Sequence, residues 1–355
     1  MEEDNSRIEL QKKPNFSING MLRKYLVRNG RNIKLPINYD DLLHSKGSFP
    51  LIDKNGNDTL WESVFYDPET IAEFNLGLTK TYSLLRTDGD ISVMEHLQVD
   101  RIDYCTFGNS NPFRIRIVNK LNDNYDYYYV KKADASRIYG LELEHILSPN
   151  RINYLVHKDT LIEDHIAGIP GDQFIVGYMQ SNHFNEQRYN KIRIAKEFIK
   201  FNERCFVRLL GDMRAYNYVI DVTPDFEEEQ YRIKAIDFDQ QSYEGRRSLY
   251  LPQFFKENNA FVNLCIELMT PETVKQYQYE ERTLITRRVR SAKYRLKDLI
   301  DCMRKDTIST PKKVDQLRED LNKHHKTTLF NRCKNMGDLV RMNLKVCLKQ
   351  AKPVW

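Results

Sequence analysis

From Gln98 onward, β-branched and aromatic residues crowd into three short runs: Val99–Cys105, Phe113–Asn119 and Tyr127–Lys132. Turn-forming stretches at 108–112 and 122–124 separate them. Runs of this length and composition, bounded by Gly, Pro, Asn and Asp, predict strands. Ala135–Leu147 then carries helical periodicity and stops at Ser148-Pro149. Two further strands, Ile152–His157 and Thr160–Asp164, flank a Lys158-Asp159 turn. Three strands, one helix and two strands predict a small antiparallel sheet carrying a single helix. Upstream, residues 1–95 give mixed signals. Leu51-Ile52 reads as a strand entering an Asn55-Gly56 turn, and Asp67-Pro68 opens a helix with an acidic cap and Pro at its first position.

Downstream of Gly168–Gly171 the pattern turns helical, most clearly over Asn185–Phe201. Two strands follow, Tyr218–Val222 and Tyr231–Ile236, joined by the acidic turn 223–230. The remainder predicts helices over Phe254–Met269, Pro271–Met303, Lys313–His324 and Met336–Lys349. The class expected is α+β, with a small antiparallel-sheet lobe first and a mainly helical lobe second.

The chain has 355 residues, 41% of them hydrophobic, enough for a sizeable core. Its net charge of +5 conceals an asymmetry. Residues 281–355 hold 20 Lys and Arg against 8 Asp and Glu, whereas the rest holds 35 against 42. No apolar run approaches the roughly 18–20 residues needed to cross a bilayer, so no membrane span is expected. The acidic, polar N-terminus does not read as a secretory signal. Six scattered cysteines without a C-x-x-C pair argue against a zinc site or a disulfide framework. Reduced thiols and a cytoplasmic setting are the expectation.

Two segments carry candidate chemistry. The first, Leu210-Gly211-Asp212-Met213-Arg214-Ala215-Tyr216-Asn217, places an Asp and an Asn five apart in a loop that opens into a strand. The second, Ile236-Asp237-Phe238-Asp239, closes the partner strand. A hairpin of this kind brings Asn217 and Asp237 to one end with Asp212 beside them. Such oxygens suit Mg²⁺ and the orientation of a hydroxyl, as phosphoryl transfer requires.

The order of these parts resembles the protein-kinase-like superfamily, whose catalytic loop has the D-x-x-x-x-N spacing and whose metal-binding strand end reads D-F-G. The Gly-Asp lead-in is nearer in style to the aminoglycoside and choline phosphotransferase branch. Leu210 stands where that branch has a His, and no A-P-E-like segment follows Asp237. The resemblance implies a bilobal fold, ATP and Mg²⁺, and transfer of the γ-phosphoryl group to a hydroxyl on a small molecule or a protein. It makes Asp212 the catalytic base, Asn217 and Asp237 the metal ligands, and Arg214 a phosphate contact.

The same resemblance asks for a lysine at the end of the third strand and a glutamate on the helix. Lys131 and Lys132 compete for the first role. Because side chains alternate along a strand, Lys132 brings the smaller Val130 to the nucleotide side, whereas Lys131 brings bulky Tyr129; Lys132 is favoured. On the helix, Glu142 falls within the apolar arc formed by Ile138, Tyr139, Leu143, Ile146 and Leu147, and Glu144 lies nearly opposite. A carboxylate in a buried face needs a partner, so Glu142 is taken as the lysine's. Leu161–Ile166, with Glu163 and His165, occupies the place of the last strand and the hinge, whose backbone would bond adenine. The loop 106–112 takes the place of a phosphate-covering loop.

The expected division is residues 1–96 as an extension packed on the N-lobe, 97–166 as the nucleotide lobe, and 167–355 as the helical lobe with the catalytic loop and basic C-terminal helices. An alternative keeps the fold without turnover, as a nucleotide-binding pseudokinase or scaffold. Nucleotidyl transfer on the same fold is a further variant. The basic segment 281–355, with Leu296, Leu299, Ile300 and Met303 at helical spacing, reads as an amphipathic region that packs on the body and offers cations to an acidic partner.

Overall fold

The computed structural model describes residues 13–349 apart from 54–55, 88–90, 107–109, 181–188 and 226–228. Helix α1 (Gly20–Arg28) is followed by the hairpin β1 (Gly47–Ile52) and β2 (Asp58–Phe65), and by α2 (Pro68–Arg86). Asp67 caps α2, its Oδ1 accepting from the Thr70 amide at 3.1 Å, with Pro68 at the first position. Next come β3 (Leu97–Cys105), β4 (Phe113–Asn119), β5 (Tyr125–Lys132), α3 (Ala135–Leu147), β6 (Tyr154–His157) and β7 (Thr160–Asp164). All seven strands form one antiparallel sheet in the order β1-β2-β3-β4-β5-β7-β6. The sheet predicted from Gln98 onward is therefore extended by an upstream hairpin, docked where Trp61 pairs with Cys105.

The second half is mainly helical. It contains β8 (Ile169–Pro170), α4 (Gly171–Phe174), α5 (Lys191–Arg208), β9 (Tyr218–Pro224), β10 (Glu229–Ala235), α6 (Asn259–Leu268), α7 (Pro271–Ser291), α8 (Lys293–Met303), α9 (Pro311–His325) and α10 (Met336–Leu348). The expected α+β organisation, an antiparallel sheet followed by helices, is what the chain adopts. The helix predicted over Pro271–Met303 is broken at Ala292, which has φ −110°. That break, with no Gly or Pro to announce it, sends α8 onto α1 and α3. No helix among the described residues is long and apolar enough to cross a membrane.

Two apolar cores result. One fills the space between α2 and one face of the sheet and contains Tyr128, Val130, Ile115 and Ile162. The other joins α3 and the opposite sheet face to α1, α5 and α8–α10. Helix α3 lies between the sheet and these helices, so it is buried almost all round: Glu144 is as hidden as Glu142, not turned to solvent.

Candidate functional site

The parity of β5 decides what its side chains can reach. Tyr128 and Val130 point into the core under α2, and Lys132 ends the strand exposed. Tyr129 and Lys131 therefore take the other face, toward α3. Val130 is core, so the expectation that it lies against a nucleotide is corrected. Tyr129 instead packs near Trp61 and accompanies His165, its hydroxyl 3.2 Å from His165 Nδ1.

Lys131 Nζ donates to Glu163 Oε2 at 2.7 Å. Arg137, in the first turn of α3, grips the same carboxylate with Nε and Nη2, the latter at 2.8 Å. Its Nη1 reaches across to Asp237 Oδ1 and Asp239 Oδ1, both at 2.7 Å. A single guanidinium thus ties the last sheet strand to the end of the β9–β10 hairpin. Burial opposes the charge of Glu163, but Arg137 and Lys131 more than offset it and hold the carboxyl down at about 2. Burial, then Arg137 beside it, draws the Lys131 ammonium below its usual range despite Glu163. Asp237 and Asp239 separate in the same field. Burial and its neighbour Asp239 raise Asp237, whereas burial of Asp239 is outweighed by Arg137, which leaves it lowered.

The expected Glu142 pairing is not made. Glu142 lies on the far side of α3, where Arg295 Nη2 of α8 contacts both its oxygens at 2.9 Å. The Tyr154 hydroxyl donates to it at 2.6 Å, and Tyr25 of α1 also bonds it. The helix arc identified a buried carboxylate correctly but not its partner. The carboxylate beside the strand lysine is Glu163.

The catalytic-loop candidates do come together. The β9–β10 register pairs Tyr218 with Ala235, so Asn217 faces the residues just past the strand end. Its carbonyl accepts from the amides of Ile236 at 3.0 Å and Asp237 at 3.4 Å. Its Nδ2 donates to the Asp212 carbonyl at 2.7 Å. Asp212 adopts φ +56°, a left-handed conformation that Asp tolerates better than most residues, and its amide donates to the Leu249 carbonyl at 3.0 Å. Arg214 Nε meets Asp212 Oδ1 at 2.9 Å, and its Nη1 meets Glu257 at 3.0 Å. Burial raises the Asp212 carboxyl, with Arg214 opposing.

Phe238 holds the two sides of this cluster together. It is fully buried against α3 at Gly140, where an added Cβ would sit 2.9 Å from Phe238 Cβ. Lys132 lines a cavity of about 180 Å³ with Lys13, Ser110, Asn111, Asp134 and Asp239. The cavity lies under the loop between β3 and β4, whose tip at 107–109 falls outside the described residues. Lys13 also pairs with Asp134, the cap of α3. The sequence reading missed Arg137, Asp239, Lys13 and Asp134. Only Asp239 was signalled, as the last residue of the Ile236–Asp239 segment that carries candidate chemistry.

Asn217 and Asp237 fit a magnesium ion in one specific respect. No hydrogen bond among the described residues takes Asn217 Oδ1 or Asp237 Oδ2, and the Asp237 side chain is about one-third exposed. Two protein oxygens completed by phosphate and water are how Mg²⁺ is ordinarily held in phosphoryl-transfer sites.

No family model matches the sequence, and no curated protein does. Among solved structures, the chain matches the autoinhibited serine kinase domain of the giant muscle protein titin at 14% identity and a TM-score of 0.27, over 70% of this chain and 92% of that one. It matches a maize sucrose-induced receptor kinase domain bound to AMP-PNP at 12% identity and a TM-score of 0.22, over 68% and 90%. At these TM-scores the likeness carries no weight, and the geometry of the cluster stands by itself.

Proposed function

We propose that the chain is an ATP- and Mg²⁺-dependent phosphotransferase of protein-kinase-like architecture, acting on a hydroxyl of a small molecule or a protein. The observation that supports it is the meeting of Asp212, Asn217 and Asp237 at one end of the β9–β10 hairpin, with Arg137 of α3 linking them to Lys131 and Glu163 of the sheet. Magnesium, when bound, would neutralise phosphate charge, with Asn217 and Asp237 as its protein oxygens. Asp212 accepts the proton of the acceptor hydroxyl as that oxygen bonds the γ-phosphorus of ATP and the bond from that phosphorus to the β–γ bridging oxygen breaks, with ADP leaving. Arg214 and Lys132 offset the charge that develops on phosphate oxygens. Glu163 and His165 lie at the strand end and hinge, and the Glu163 carboxylate orders Lys131 and Arg137 there.

A second reading has one observation in its favour. Arg137 Nη1 occupies one oxygen of both Asp237 and Asp239, a cation already placed where a metal would neutralise them. A nucleotide-binding protein without turnover would use it in place of Mg²⁺.

Thermal melting separates the two. At a hundredfold excess over Kd, a ligand of the folded state adds about 2.7 kcal/mol, a rise of a few degrees for a chain of this size. The phosphotransferase reading expects this rise with ATP and Mg²⁺, and its loss on adding EDTA or in Asp237→Ala. A rise with ATP that EDTA leaves unchanged supports the second reading, and no rise contradicts both.

A further inference from the structure

Far from this cluster, α8 and α10 leave a groove of about 900 Å³ between them, closed at one end by the turn Leu329–Arg332. Its floor is apolar and recessed: Leu296, Ile300 and Leu344 are 8%, 5% and 7% exposed. Its rims carry Lys293 and Lys297 on α8, Arg341 and Lys345 on α10 with Lys349 just past its end, and Arg332 in the Leu329–Arg332 turn. Among the described residues, Asp301 is the one acidic residue that lines it. None of the six cations makes an ion pair with a described residue, whereas Arg295, on the same helix, is committed to Glu142. The surplus of positive charge in residues 281–355 is therefore concentrated, in part, along two walls of one apolar trough.

We infer that this groove docks an amphipathic helix whose apolar stripe is flanked by acidic residues, presented by a partner protein. Two parallel observations select that occupant. The walls supply residues at helical spacing, Lys293, Leu296/Lys297 and Ile300 on one side and Arg341, Leu344/Lys345 and Leu348/Lys349 on the other. A third helix seated between them places its i, i+3, i+4 and i+7 side chains on the floor. The five cations of the two walls then face its flanks, with Arg332 at one end, a complementarity that selects an acidic partner and speeds its approach. A bilayer fits less well, because membrane-surface binding needs a row of apolar side chains that protrude, and here Leu329, 47% exposed at one end, is the one strongly exposed apolar side chain among the described lining residues, while Leu296, Ile300 and Leu344 are recessed between charged rims. A nucleic acid fits less well, because the floor offers apolar side chains and no aromatic platform.

The probe is a fluorescein-labelled 18-residue helical peptide with Leu at i, i+3, i+4 and i+7 and Glu on both flanks. Its binding to the full chain is read by anisotropy without nucleotide, so failure of the phosphotransferase reading leaves the result standing. The same peptide scrambled to remove the stripe is titrated in parallel, and phosphatidylserine vesicles and a DNA duplex serve as competitors. The expected result is binding that the scrambled peptide weakens at least about tenfold, and that the triple variant K297E/R341E/K345E weakens further. All three rim residues are exposed, so unfolding is not expected, and a circular-dichroism melt verifies this. The inference is overturned by absent binding, by equal binding of the scramble, by an unchanged affinity in the triple variant, or by displacement with vesicles or DNA alone. A second copy of the chain occupying the groove, seen as a dimer on sizing that the triple variant abolishes, overturns it too.

Discussion

Asp212→Asn is expected to lower the rate of ATP turnover by about 10²–10⁴-fold, the range attributed to a positioned general base, while leaving nucleotide affinity nearly unchanged. The substitution is well controlled by the local structure. Asn adopts left-handed backbone as readily as Asp, so φ +56° at this position is preserved. Asn217 bonds the backbone carbonyl of residue 212 and not its side chain, so the 212–217 loop keeps its shape. What is lost is the carboxylate proposed to accept a proton, together with the charge that holds Arg214 at 2.9 Å. Burial already raises this carboxyl, which brings it nearer the pH at which it must work. The measurement is ADP release at saturating ATP, with a separate binding titration. A variant that turns over as fast as the wild type removes Asp212 from the mechanism.

Glu142→Ala is expected to cost about 3–5 kcal/mol of stability, the range for removing one partner of a buried ion pair. The side chain is fully buried, and its loss strands the guanidiniums of Arg295 and Arg31 and the hydroxyls of Tyr25 and Tyr154. Arg295 is partly exposed, so the lower end of that range is the better expectation. Burial works against the charged carboxyl, but Arg295 and the tyrosines outweigh it and leave its pKa lowered. A group depressed in the folded state contributes stability above its unfolded value and loses it as pH falls through the folded one. The wild type therefore loses this contribution below about pH 4.5, and the variant has none to lose. Urea unfolding at pH 7 and pH 4 measures both effects. If Glu142 were instead the lysine's partner, nucleotide affinity would fall with little change in stability.

These two residues mark where the sequence was readable. Alternation of β-branched residues, the Asp67-Pro68 cap and the turn formers located β3 to β7, the start of α2, and α3, because each signal is local. The Asp212–Asn217 spacing and the hairpin that brings Asn217 to Asp237 were readable for the same reason. Strand parity showed that Lys131 and Lys132 point to opposite faces, but not which face the upstream helix α2 would cover. The arc of α3 showed that Glu142 is buried. Its partner Arg295 lies 153 residues away, on a helix separated from α7 by a break that no Gly or Pro announces. Arg137 left no local signal either, since its four contacts come from the end of β7 and the stretch after β10.

The most direct measurement follows ATP carrying its label at the α- or the γ-phosphorus through incubation with the full chain and Mg²⁺, with products weighed by mass spectrometry. A phosphotransferase yields ADP, with the γ-label on a hydroxyl of an acceptor or of the chain itself, or on water, and that product is lost in Asp237→Ala. Transfer of the α-label with release of pyrophosphate, or intact ATP after prolonged incubation of the folded wild type, would contradict the phosphotransferase reading.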